Sequence, residues 1–266
     1  MQVALVDGQL TAYHLSGKAQ APVVVLLHGL GAIGSTYRGV VERLRDRFRL
    51  LVPDLLGSGQ TAKPASGYSP RDLAAHLAAL LTQLGIGQVR AVVGHSQGAV
   101  VAVELCKRVP SERLVLLDPP PVNGLRWLRP VTTISMGASA ELLSALLPHR
   151  AIAKLWLKFL YADGGRLTEE VLDAYTTNAG ERGYANATAQ ALHALARLQL
   201  DLDGAPPTLL LWGAEDRLFP PRLAQGWRER LAHSELTVLP ATGHCPHEER
   251  PATVAQALGS FLALPA

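Results

Sequence analysis

The sequence predicts an α/β fold: a mostly parallel, open twisted sheet of about eight strands, flanked by helices and carrying a helical insertion. Three observations predict it. Short apolar runs alternate with helical patterns along most of the 266 residues. The central runs are continuously apolar, as in parallel strands buried on both faces. The alternation breaks once, between about residues 122 and 204, where helical patterns stand without a convincing strand. The implied division is a core of residues 1–121 and 205–266 with a helical cap of residues 122–204 between its two parts.

The elements follow in order. MQVALV and QLTAYHLSG flank Asp7-Gly8, a hairpin signature. Strand-like runs then recur as VVVLLH (23–28), RLLVPD (49–54), VRAVVGH (89–95), RLVLLD (113–118), TLLLWG (208–213) and ELTVLP (235–240). Ser69-Pro70-Arg71-Asp72 reads as a capping-box start with proline at the first helical position. Leu73, Leu77, Leu80, Leu81 and Leu84 then share one helix face, and Gly85 closes the helix. In the insertion the helical segments are ELLSALL (141–147), IAKLWLKFLY (152–161), EEVLDAYTT (169–177) and ANATAQALHALARLQL (185–200). A helical insertion there lies over the carboxyl edge of the sheet, where open α/β sheets bind ligands.

Composition excludes several classes. The net charge is +3, with basic residues spread singly. The one cluster, Arg43 to Arg49, carries its own acid and no aromatic interleaving, so it reads as a solvated helix end and no nucleic-acid partner is expected. No stretch of about 18 apolar residues predicts a membrane span. The opening MQVALVDGQL has no charged start and no apolar leader core, so no secretory signal is expected. Cys106 and Cys245 are too few for a disulfide framework and wrongly spaced for zinc; Cys106 reads as a small core residue. A cytoplasmic protein, monomeric or weakly dimeric, with a small-molecule substrate is expected.

The chemistry centres on VVGHSQGAV. Gly94-His95-Ser96-Gln97-Gly98 has the G-x-S-x-G form, placed between a strand and a helix. Such a turn projects a serine hydroxyl above the sheet, at a helix start whose positive end favours a developing anion. A serine hydroxyl needs a base, and the base needs an orienting acid. His244 follows one strand, in Pro240-Ala241-Thr242-Gly243-His244, and Asp216 follows another, in Trp212-Gly213-Ala214-Glu215-Asp216. Asp118, after RLVLLD, and Glu215 compete for the acid's place. His247 competes with His244 but reads better as a brace with Glu248. Anion stabilisation needs two N–H donors. Gln97 supplies one, and Leu30 in His28-Gly29-Leu30-Gly31 supplies the other. His28 reads as a loop organiser and His95 as a scaffold residue.

HGLGAIGSTYRGV, VPDLLGSGQTAKP, VVGHSQGAV, LWGAEDRLFPP and LPATGHCPHEERP occur in an order that resembles α/β-hydrolase-fold serine hydrolases over nearly the whole chain. VPDLLGSGQT departs from that family's PDLPGHGxS loop at Leu56 and Ser58. The resemblance implies a Ser–His–Asp triad, an acyl-enzyme, a cap over the pocket, and neither metal nor organic cofactor. The serine argues against the dehalogenase and epoxide-hydrolase branches, which use aspartate at this position. Cys245-Pro246-His247-Glu248 resembles esterases and cofactor-free perhydrolase-like members more than carbon–carbon hydrolases. The expectation is ester hydrolysis. Carbon–carbon hydrolysis, or a biosynthetic thioesterase or cyclase step, is the alternative, and non-catalytic ligand binding a more distant one.

Trp127, Met136, Trp156, Phe159, Tyr161, Tyr175 and Tyr184 are the insertion's aromatic and thioether side chains. They either line an apolar pocket or pack the cap onto the core. Glu169, Glu170 and Asp173 gather at a helix start, where they complement its dipole.

Overall fold

The computed structural model describes residues 1–129 and 149–263. ELLSALL and Met136 lie outside them, as does the side chain of Trp127.

Eight strands form one sheet in the order β1-β2-β4-β3-β5-β6-β7-β8. β1 (Gln2–Val6) and β2 (Gln9–Ser16) are antiparallel, and β2 is antiparallel to β4 (Arg49–Pro53). From β4 through β3 (Val23–Leu27), β5 (Val89–His95), β6 (Ser111–Leu117), β7 (Thr208–Gly213) and β8 (Ser234–Leu239), every pairing is parallel. The parallel order makes all the carboxyl ends fall on one edge. The functional candidates lie on that edge.

The turn between β1 and β2 uses Asp7 and Gly8, both at positive φ, which matches the twist of the strands it joins. Among the described residues the α-helices are α1 (Arg38–Leu44), α2 (Pro70–Gln83), α3 (Gln97–Cys106), α4 (Arg150–Leu160), α5 (Glu169–Ala179), α6 (Tyr184–Ala196), α7 (Ala224–Arg228), α8 (Pro246–Glu249) and α9 (Pro251–Ala263). α2 starts with the expected capping box: Ser69 Oγ accepts from the Asp72 amide, and the Asp72 carboxylate accepts from the Ser69 amide.

Strand side chains alternate between two cores. Val92, Leu114, Leu116 and Leu210 pack with α2, α3 and α7 on one face. Ala91, Val93, Val115 and Leu211 pack with α1 and α9 on the other. Both faces are thus dry, which is why these strands read as unbroken apolar runs. Cys106 sits at the margin of the first core, partly exposed. α4, α5 and α6 all fall between β6 and β7, and a third cluster packs Leu157, Leu160 and Tyr161 on α4 and its C-cap with Leu172 on α5 and Cys245. No described helix is long and apolar enough to cross a membrane.

Candidate active site

Ser96 sits between β5 and α3 with φ 50° and ψ −117°, a backbone strained for any residue with a side chain. The glycines on either side answer to close approach. A Cβ at Gly94 would lie 2.2 Å from the Gly98 carbonyl oxygen, and one at Gly98 would lie 2.5 Å from those of Leu27 and His28. The Ser96 amide donates to the Leu117 carbonyl at 2.9 Å, tying the turn to β6. The side chain stays partly exposed while its neighbours are buried.

His244 meets this serine from the loop after β8. Its Nε2 is 3.1 Å from Ser96 Oγ, and its Nδ1 donates to Asp216 Oδ2 at 2.7 Å. Asp216 and His244 are both buried, so their bond is shielded from solvent. The other Asp216 oxygen accepts the amides of Leu218 and Phe219, each at 2.8 Å. Those bonds fix the carboxylate's orientation. Trp212, fully buried in β7, donates its indole N–H to the Phe219 carbonyl at 2.6 Å and so shapes the same loop from below.

The competing acids are separated by geometry. Glu215 is exposed. Asp118 is buried beside Asp216 with φ 42°, one oxygen accepting the Gly213 amide at 2.8 Å and the other, among the described residues, without a hydrogen-bond partner. Burial, and then the Asp216 charge, push its carboxyl well above the usual carboxylate range. Asp118, Asp216 and His244 have ligand-type atoms within 4.8 Å of one another, a spacing a cation could bridge. The Asp216–His244 hydrogen bond already uses the facing atoms.

The loop after β3 abuts the serine turn. A Cβ at Gly29 would lie 2.8 Å from His95 Nδ1 and 3.2 Å from Ser96 Cβ, so only glycine lets this backbone so near. Leu30 and Gln97 border one small cavity of about 10 Å³, closed by Leu55, Leu56, Tyr68, Leu73 and the α6 residues Ala187, Thr188 and Ala191. Gln97 is the first residue of α3, so its N–H has no partner within the helix. His28 organises the loop as expected: Nδ1 bonds the Gly29 carbonyl at 2.9 Å, and Nε2 accepts the Leu55 amide at 3.0 Å.

Behind these groups lies a buried cluster of imidazoles. His95 Nε2 bonds the His244 carbonyl at 2.7 Å, as suits a scaffold residue. The His247 ring packs on Tyr37 and His95 with centroids 4.4 and 4.5 Å away. Burial, together with the neighbouring imidazoles, lowers His247 to about 3, so it stays neutral. The expected brace between His247 and Glu248 is a contact of 3.5 Å between His247 Nε2 and Glu248 Oε1 and not a hydrogen bond, and among the described residues neither His247 nitrogen has a hydrogen-bond partner. Glu248 instead accepts the hydroxyls of Tyr161 at 2.8 Å and Tyr175 at 3.0 Å. Sequence reasoning missed that pairing, since no local pattern joins residues so far apart in the chain.

The aromatic residues of the insertion divide three ways. Tyr161 and Tyr175 face Glu248. Tyr184 is buried with its hydroxyl over Gly31. Trp156 and Phe159 are 48% and 41% exposed and stack on each other. Arg150 bridges Glu169 and Asp173, giving the α5 acids a partner besides the helix dipole.

Residues 24–257 match the Alpha/beta hydrolase family. Haloalkane dehalogenase 2 from Mycobacterium tuberculosis is 30% identical over 275 residues, covering 95% of this chain and 92% of that protein. Among solved structures, a thermophilic esterase from Thermogutta terrifontis superposes with TM-score 0.82 at 25% identity, covering 98% of both chains. A meta-cleavage product hydrolase (CumD) from Pseudomonas fluorescens IP01 superposes with TM-score 0.79 at 21% identity, covering 98% of this chain and 97% of that one. With the fold and most of its length accounted for in this way, the chain belongs to the alpha/beta hydrolase family.

Proposed function

We propose that this chain is a serine hydrolase that cleaves an ester, or a related activated acyl bond, of a small and fairly hydrophobic substrate. One observation carries the reading: an unbroken line of contacts from Ser96 Oγ through His244 to Asp216, at 3.1 and 2.7 Å. Distances of this size suit proton transfer within a nucleophile–base–acid relay.

In this reading Ser96 Oγ attacks the substrate carbonyl carbon while His244 Nε2 takes the hydroxyl proton. Asp216 stabilises the imidazolium through Nδ1. The amides of Leu30 and Gln97 bind the oxyanion, aided by the positive end of α3. As the tetrahedral intermediate collapses, His244 returns the proton to the leaving oxygen and an acyl-enzyme remains. Water then attacks with His244 again as base, releasing the acid and restoring Ser96. No metal or cofactor is needed for these steps. Residues 122–204 act as a cap over the carboxyl edge of a core formed by 1–121 and 205–266. The free cysteines fit a reducing compartment, the cytoplasm.

A serine at position 96 separates this reading from dehalogenation. The deciding experiment is intact-protein mass after treatment with a fluorophosphonate probe, comparing wild type with Ser96→Ala. A single adduct on wild type that the variant lacks supports an activated serine, and a linear rise of product on a chromogenic ester supports turnover. Folded wild type without an adduct would overturn the reading.

A further inference from the structure

We propose that Glu248 is a positioning residue: through Tyr161 and Tyr175 it holds two helices of the insertion against the loop that carries His244. The inference rests on the reading of His244 as the base, and goes beyond it by making the insertion part of what sets the base's position.

The His244 loop is held by the insertion through its backbone. The His244 amide donates to the Leu160 carbonyl, the last residue of α4, at 2.7 Å. A Cβ at Gly243 would lie 2.3 Å from that oxygen and 2.5 Å from the Ala162 nitrogen, so the two backbones are in direct contact. Whatever displaces the end of α4 displaces His244. Several hydrogen bonds secure that end and the loop beside it. The Tyr161 hydroxyl donates to Glu248, and the Ala162 amide donates to Glu249 Oε2 at 2.8 Å. The Glu249 Oε1 accepts the Gly243 amide at 2.9 Å. The Arg217 guanidinium donates to the Tyr161 carbonyl at 3.2 Å.

Glu248 differs from the others because it alone reaches both helices, α4 through Tyr161 and α5 through Tyr175. Its side chain is 1% exposed. A carboxyl so placed is costly unless its bonds do something an apolar side chain would not. The groups facing it are the two tyrosine hydroxyls, the Cys245 thiol, the Glu249 carboxyl, the His247 ring and, further off, Tyr37. Burial pushes Tyr161, Tyr175 and Cys245 upward, so they remain protonated donors, and it leaves His247 neutral. The same burial raises Glu248 itself to about 7, with the tyrosine bonds pulling it back only in part. Ionised Glu248 accepts both hydroxyls in charge-assisted bonds, which are stronger than neutral ones. The hold on His244 therefore tightens as pH rises through that value.

The test compares wild type, Glu248→Gln and Tyr175→Phe by peptide-level hydrogen exchange across residues 240–250 and by kcat and KM against pH on p-nitrophenyl acetate. Both variants are expected to exchange about tenfold faster in that peptide and to lose about tenfold in kcat, with KM changed less than about twofold, because the base is displaced while the substrate's pocket is not. The ratio of wild-type kcat to that of Glu248→Gln should rise as pH passes about 7, since the pH dependence imposed by the general base is common to both and cancels. If Glu248→Gln does not fold, Tyr175→Phe, which deletes one hydroxyl, decides the matter. Variants that melt lower yet keep wild-type exchange and kcat would overturn the proposal, leaving Glu248 a packing residue. Failure of wild type to take up a fluorophosphonate or cleave the ester would count against the hydrolase reading, and exchange alone would then decide this one.

Discussion

Asp118 and Asp216 lie together at the carboxyl ends of neighbouring strands, yet only Asp216 bonds His244. The difference predicts opposite outcomes for isosteric changes. Asp216→Asn keeps the shape but not the charge, and it favours the wrong histidine tautomer. It should lower kcat about 10³- to 10⁴-fold, with KM little changed. Asp118→Asn retains an acceptor for the Gly213 amide and should stay within about fivefold of wild type, since it removes no bond to His244. Steady-state kinetics on a chromogenic ester would check both. Equal losses in the two variants would mean that the carboxyls act as one unit.

The same pair sets a pH dependence of stability. Asp118 titrates well above its unfolded value, so the folded state holds a proton that the unfolded chain releases. Stability from this group is complete below the unfolded carboxylate range and is lost as pH rises toward the folded value. In Asp118→Asn that loss disappears. The melting temperature of the variant should therefore fall less steeply than that of wild type as pH rises above the usual carboxylate range, about pH 4. A parallel fall in both proteins would place the cause elsewhere.

The serine turn tolerates no added carbon. In Gly94→Ala the new methyl would sit 2.2 Å from the Gly98 carbonyl oxygen, against backbone that cannot rotate away. A loss of about 3 kcal/mol or more is expected, beyond the usual range for a point substitution. The urea midpoint measures it. At Gly87, where an added Cβ meets nothing within 4 Å, alanine should cost far less, and the contrast isolates the clash from the general effect of losing a glycine.

The parts of this molecule that a reader of the sequence can place are those whose causes are local. β5 is legible because burial on both faces demands an unbroken apolar run, and the serine turn because Gly94 and Gly98 stand two residues either side of Ser96. Asp216 and His244 are legible because each follows a strand directly, at the edge Ser96 occupies. What stays hidden depends on how distant segments meet. The sequence leaves Asp118 open as the acid, because its strand ends at the same edge, and only the loop shaped by Trp212 gives Asp216 the bond. Glu248 reads naturally as a partner of its neighbour His247, and no spacing points to Tyr161 and Tyr175, 87 and 73 positions away. In α4 the apolar residues cover more than one face. Periodicity alone does not tell that Leu157 and Leu160 turn inward while Trp156 and Phe159 turn out.

The cavity beside Leu30 and Gln97 sets the last prediction. At about 10 Å³ it has room for roughly one water. An acyl group bound with its oxygen near those two amides would direct its chain toward Leu56, Tyr68, Leu73 and Ala187. Acetyl esters should therefore be cleaved with higher kcat/KM than butyryl esters, and octanoyl esters least of all. Leu56→Ala enlarges the same space by removing most of a side chain from its wall. The ratio of kcat/KM for butyrate over acetate should rise about tenfold, in line with what one or two methylenes are worth in an apolar pocket. Ala187→Leu should move the ratio the other way, since α6 already approaches so near that a Cβ on Gly57 would lie 2.6 Å from the Ala187 methyl. If both substitutions leave the chain-length profile unchanged, the acyl group occupies a different part of the site.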